Sequence, residues 1–257
     1  MRRIRCVLIG LTWMSAISVS AQEAAGPTVV LVHGAWGGGW GWKGVEQVLV
    51  ERGATVFRPT LSGLGERHHL ASEDIDLSTH ISDVANLLEW EQLTDVILLG
   101  HSYGGMVITG VVERVAERVD RLVYLDAFLP FDGECVLSTP RAGQPCDSDE
   151  AGVLPIAVLR DGYFVPRWQA EFPQPPGDVP QPAATFSEPL NLESVPGRGK
   201  PALYVITRAS SGSADDFDWA ADRASDLGWP VEEVIGNHVV HRRKPGEIAD
   251  LILGEGP

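Results

Sequence analysis

Short runs rich in β-branched and apolar residues recur along the chain at Thr28–His33, Ala54–Arg58, Asp95–Gly100, Arg121–Asp126, Pro201–Thr207 and Pro230–Ile235. Between them the apolar positions change to helical spacing. Val45, Val48 and Leu49 mark one helix face, Ile81, Val84, Leu87 and Leu88 a second, and Val107, Val111 and Val115 a third. Strands that are apolar throughout are buried on both faces, so this alternation predicts an α/β fold with a mostly parallel, doubly wound sheet. One stretch breaks the rhythm. From about 128 to 199 prolines crowd in, among them Pro173, Pro175, Pro176, Pro180 and Pro182, and periodicity fades. Placed after the strand ending at Asp126, this stretch is expected to form a cap over the carboxyl edge of the sheet, where ligands of open α/β sheets bind. The core is then 27–127 and 200–257, in one domain spanning 22–257.

The amino terminus reads differently. Arg2, Arg3 and Arg5 precede an apolar run from Cys6 to Val19, followed by the small residues Ser20 and Ala21. This is the pattern of a secretory signal over residues 1–21, and a run of about 14 residues is shorter than the roughly 20 that cross a bilayer. The expected destination is the periplasm or the exterior, with no membrane anchor after cleavage. An oxidising compartment permits a disulfide between Cys135 and Cys146, which lie in a turn-rich stretch.

Composition narrows the partners. The formal charge is −15, and removing the signal with its three arginines makes it −18. Such a surface disfavours nucleic acid, anionic membranes and strongly anionic substrates. Three cysteines with no Cys-x-x-Cys pair offer no zinc ribbon or dithiol redox motif.

The candidate chemistry starts at Gly100-His101-Ser102-Tyr103-Gly104, a Gly-x-Ser-x-Gly turn between a strand and a helix. A sharp turn there would push the Ser102 hydroxyl out of the sheet and bring backbone so close that side chains at 100 and 104 would clash. His101 is expected to aim its side chain away. An oxyanion needs preorganised donors. The Tyr103 amide supplies one, and the glycine-rich turn His33–Trp40 supplies the second, with the Ala35 amide preferred over Trp36 and His33 ordering the turn. No Gly-Lys-Ser/Thr follows that turn, so it is not a phosphate cradle.

Ser102 needs a base. Among seven histidines His238 comes straight off the last strand, whereas His241 runs into Arg242, Arg243 and Lys244, a solvated face. The spacing of His238 and His241 lacks a third ligand, so no metal is expected. For the carboxylate that would hold the imidazole, Asp126 at a strand end is preferred and Asp216, in the loop after Pro201–Thr207, is the alternative. An apolar or aromatic pocket could draw on Trp36, Trp40, Phe128, Phe131, Phe164 and Trp168.

With these residues in place, the chain resembles the α/β-hydrolases over about residues 27–257. It is most similar to the esterase branch that includes plant methylesterases, hydroxynitrile lyases and bacterial EstC-like carboxylesterases. The resemblance is carried by Leu31–Trp42, Pro59–Arg67, Leu77–Ile81, the serine turn, Leu122–Ala127 and Pro180-Gln181-Pro182. It implies hydrolysis of a small carboxylic ester through an acyl-enzyme, without cofactor, with Ser102 and His238 in the lead roles. Lyase relatives use a lysine near the site, and no lysine lies between Lys43 and Lys200. Amide or lactone hydrolysis on the same residues, or ligand reception without catalysis, are the competing readings.

Overall fold

The computed structural model describes residues 26–139, 146, 153–168, 174–211 and 216–255. The expected signal at 1–21, residues 140–145 between the two cap cysteines, and Pro173 lie outside these. In chain order the strands are β1 (Thr28–Val32), β2 (Thr55–Phe57), β3 (Val96–His101), β4 (Val119–Leu125), β5 (Val153–Leu154), β6 (Ala157–Arg160), β7 (Tyr163–Pro166), β8 (Gln181–Pro182), β9 (Ala202–Arg208) and β10 (Val231–Ile235). The helices are α1 (Lys43–Glu51), α2 (Leu77–Trp90), α3 (Gly104–Val115), α4 (Ala184–Ser187), α5 (Asp218–Asp226) and α6 (Pro245–Leu253).

Six strands form one sheet in the order β10-β9-β4-β3-β1-β2. Every pairing in it is parallel. All six were expected from the apolar runs, and each ends within two residues of its expected position. Side chains alternate between the faces with the period of two that a strand imposes. Val30, Val32, Leu98, Tyr124 and Tyr204 face a core shared with α2, α3 and α5. Val29, Leu31, Leu99, Val123 and Val205 face a second core shared with α1 and α6. Burying both faces is what demands strands without polar positions.

Local signals set the helix ends. Asp76 caps α2 by accepting the Thr79 amide at 2.7 Å. Pro245 opens α6 and Gly254, at φ +74°, closes it. Strand order reverses between β1 and β3, since the chain goes outward to β2 and returns on the other side of β1. The loops after β1 and β3 therefore diverge around a crevice at their carboxyl ends.

The stretch between β4 and β9 holds a second sheet, β5-β6-β7-β8, antiparallel throughout. Sequence periodicity did not reveal it, because its strands are two to four residues long. Cys135 and Cys146 are joined as a disulfide. Among the described residues no helix is long and apolar enough to cross a membrane.

Candidate active site

Loops after β1, β3, β4 and β10, at the carboxyl edge of the large sheet, build the site. After β3 the chain turns at Ser102, whose φ of +54° is a left-handed conformation rare for a residue with a side chain. Three backbone hydrogen bonds hold it there: Ser102 donates to the Leu125 carbonyl, and its own carbonyl accepts from Gly105 and Phe128. The turn has no room for side chains beside it. A Cβ at Gly100 would stand 2.5 Å from the Gly104 carbonyl oxygen, and one at Gly104 would stand 2.8 Å from that of Val32.

After β4 the chain turns again at Asp126, at φ +45°. Its carboxylate is fully buried. Burial of a lone carboxylate is costly, and here both oxygens have donors: the Thr207 amide reaches Oδ1 at 3.0 Å and His238 Nδ1 reaches Oδ2 at 2.6 Å. That contact places the Nδ1 proton toward Asp126 and leaves Nε2 as the free ring nitrogen. Phe217 stacks on the His238 ring with planes 4° apart and centroids at 5.3 Å.

The alternative carboxylate, Asp216, lines the cavity, but the bond to His238 is made by Asp126.

Ser102 and His238 line one cavity of about 460 Å³, together with Gly34, Ala35, Tyr103, Phe128, Leu154 and Trp168. Of the six aromatic residues expected at a pocket, Trp36, Phe128 and Trp168 are on its wall. The other three are elsewhere. Trp40 faces a separate hollow and carries the Arg242 guanidinium over its ring at 4.5 Å. Phe131 lies under Arg223, and Phe164 is buried against Phe186.

The expected oxyanion donors also separate. The Trp36 amide donates to Gln181 Oε1 at 2.8 Å, which removes it from the choice. Neither Ala35 nor Tyr103 finds an acceptor for its amide among the described residues. His33 orders the turn as expected: Nε2 accepts the Leu61 amide at 3.1 Å, so Nδ1 carries the proton it donates to the Gly34 carbonyl at 2.8 Å.

Two histidines differ from expectation. His101 does not turn away from the site: its ring packs 4.5 Å from that of His238, and Nε2 donates to the His238 carbonyl at 2.7 Å. Burial, and then the neighbouring His238 and His241, push its pKa well down, which keeps it a neutral support. His241 is buried rather than part of a solvated face, its ring packed at a tilt 4.3 Å from that of Trp42, while Arg242, Arg243 and Lys244 are exposed. Burial lowers the His241 pKa to about 3.

A further histidine, His80, supports Tyr103. It is a buried residue of α2 that donates from Nε2 to the Ser62 carbonyl, so Nδ1 accepts the Tyr103 hydroxyl at 2.9 Å. The helical spacing of His80 with Ile81 and Val84 was the available signal. No group of three metal-binding side chains occurs among the described residues.

An acid-held imidazole, a strained serine and open amides around one cavity at a sheet edge are features of hydrolases, and the chain belongs to the alpha/beta hydrolase family, whose model matches residues 29–251. Over 240 residues it is 37% identical to a carbendazim hydrolyzing esterase of Nocardioides sp., covering 88% of this chain and 98% of that one. Salicylic acid-binding protein 2 of Nicotiana tabacum is 33% identical over 106 residues, 41% of each chain. An extracellular alpha/beta-hydrolase from a Paenibacillus species superimposes with a TM-score of 0.68 at 25% identity, covering 90% of this chain and 99% of that one. Esterase-type hydrolase activity is thus the activity its relatives support.

Proposed function

We propose that this chain hydrolyses carboxylic esters through an acyl-enzyme on Ser102. Ser102 Oγ attacks the ester carbonyl carbon while His238 Nε2 takes its proton. Asp126 holds the imidazole and stabilises it as it becomes charged. The carbonyl oxygen, now negative, lies against the Ala35 and Tyr103 amides at the amino end of α3. Collapse expels the alkoxide, which receives the proton from His238, and water then repeats the cycle on the acyl-enzyme.

The observation that carries this reading is the 2.6 Å contact of His238 Nδ1 with a fully buried Asp126, on an imidazole that shares a cavity with Ser102. The apolar wall formed by Phe128, Leu154 and Trp168 favours a neutral, fairly hydrophobic ester. The disulfide and the extracellular neighbour support export of the mature chain, and the body with its cap is read as one domain.

The test is ester turnover by Ser102→Ala, expected to fall at least about 10⁴-fold. Retention of wild-type turnover would remove Ser102 from the mechanism. Substrate class is tested with p-nitrophenyl esters of rising acyl length, with matched amides and lactones, and with carbendazim, for which the Nocardioides relative is named. Turnover of the esters above the amides and lactones is expected.

A further inference from the structure

The segment Pro180-Gln181-Pro182 belongs to the cap, yet Gln181 is fully buried against the turn that carries Ala35. Its side-chain orientation follows from its neighbours. The Thr185 hydroxyl gives its proton to the Pro182 carbonyl at 2.7 Å, so it accepts from Gln181 Nε2 at 2.8 Å. Gln181 Oε1 is left facing the Trp36 amide. Two further bonds fasten Trp36 to the cap: its indole donates to the Phe164 carbonyl at 2.9 Å, and its carbonyl accepts the Val179 amide at 2.9 Å. Trp36 is thereby kept at φ +62°.

The consequence falls on Ala35. Its amide shares a rigid peptide plane with the Gly34 carbonyl, which His33 holds from the body of the protein. The next plane contains the Trp36 amide, which Gln181 holds from the cap. Both planes flanking the Ala35 Cα are therefore pinned, one from the body and one from the cap. Phe186, on the cap helix α4, also packs 5.7 Å from both the Trp36 and the Tyr103 rings, beside both proposed donors.

We propose that Gln181 is a positioning residue, through which the cap aims the Ala35 amide at the oxyanion. This rests on the serine reading above. It makes the cap part of the catalytic apparatus as well as a wall of the pocket. Gln181 touches no reacting atom, so its influence should appear in the transition state and leave substrate binding almost unchanged.

The experiment is steady-state hydrolysis of a p-nitrophenyl ester by wild type, Gln181→Leu, Gln181→Glu and Thr185→Val. Gln181→Leu removes the acceptor at Trp36 and should lower kcat by about 10- to 100-fold, with KM within about 3-fold. Gln181→Glu keeps an acceptor oxygen and should recover kcat to within about 5-fold of wild type. Thr185→Val frees the Gln181 amide and should lower kcat by about 3- to 10-fold, which tests the idea even if Gln181→Leu does not fold. Unchanged kcat in the Leu variant, or in Thr185→Val where Leu does not fold, overturns the proposal. An equal loss in Leu and Glu shows that the acceptor oxygen facing Trp36 does not set kcat and overturns it as well. Ser102→Ala keeps the two levels apart: if it abolishes turnover while Gln181→Leu is unimpaired, only the positioning role falls.

Discussion

The large parallel sheet and the small antiparallel sheet of the cap are held together by different means. In the large sheet, Val29 to Val32, Leu98, Leu99, Leu122 and Val123 are all essentially free of solvent, and helices close both faces. In the cap, β6 has only Ala157 buried, with Leu159 and Arg160 exposed. A disulfide, and hydrogen bonds that reach across to Trp36, add to what the cap sheet buries. The body is thus stabilised by apolar burial on both faces of its sheet and gives the turns at Ser102 and Asp126 a rigid frame, while the cap packs Leu137, Phe164 and Phe186 onto one of those cores and adds discrete links. Catalytic geometry should fail through the body and through the Gln181 link to Trp36, and substrate binding through the apolar wall of the cap.

The largest effect is expected in the body, at the imidazole. Asp126→Asn should lower kcat by about 10⁴-fold with the fold retained, whereas Asp216→Asn should cost less than about 10-fold; steady-state kinetics on one ester decides between them.

Acid should strike the body next. Burial holds the His33 pKa at about 4 and the His241 pKa at about 3, below the ordinary 6.5. The unfolded chain binds more protons between those values. The stabilising contribution is therefore complete above about pH 6.5 and declines as pH falls, to about 4 for His33 and about 3 for His241. Each contributes on the order of 3 kcal/mol, readable as a falling urea midpoint across that range. Burial shifts His80 and His101 the same way, and all four belong to the body.

A reductant should act on the cap. Replacing Cys135 and Cys146 together by serine opens a link of sequence separation 11 and should cost about 3 kcal/mol at most. Dithiothreitol should lower the wild-type melting temperature and leave that of the double variant unchanged. Smallest is the cavity wall: Trp168, a residue 55% exposed beside Trp36, should on replacement by alanine raise KM by about 10-fold with kcat nearly constant.

The same contrast explains what could be read from the residues. Long apolar strands such as Val96–His101 declare themselves, because burial on both faces leaves no alternative composition. Ser102, with glycines two positions to either side, and His238, just beyond a strand, were legible because the turn and the sheet edge constrain residue type. Asp126 could be preferred to Asp216 but not separated from it, since the choice depends on how β4 and β9 lie side by side, which brings the Thr207 amide to the carboxylate. The cap strands were too short to show a period. Gln181 stood out only as part of a Pro-Gln-Pro segment, because its partner is 145 positions away. Among the aromatics, composition could not tell Trp168 on the cavity wall from Phe164 in the core.

Covalent trapping tests the central claim most directly. The protein is treated with a fluorophosphonate, and the site of attachment is located by peptide mass spectrometry. One adduct per chain on Ser102 is expected, formed more slowly in Asp126→Asn and absent in Ser102→Ala. A preparation that turns over esters yet carries no adduct on Ser102, or is labelled elsewhere with loss of activity, would contradict the account.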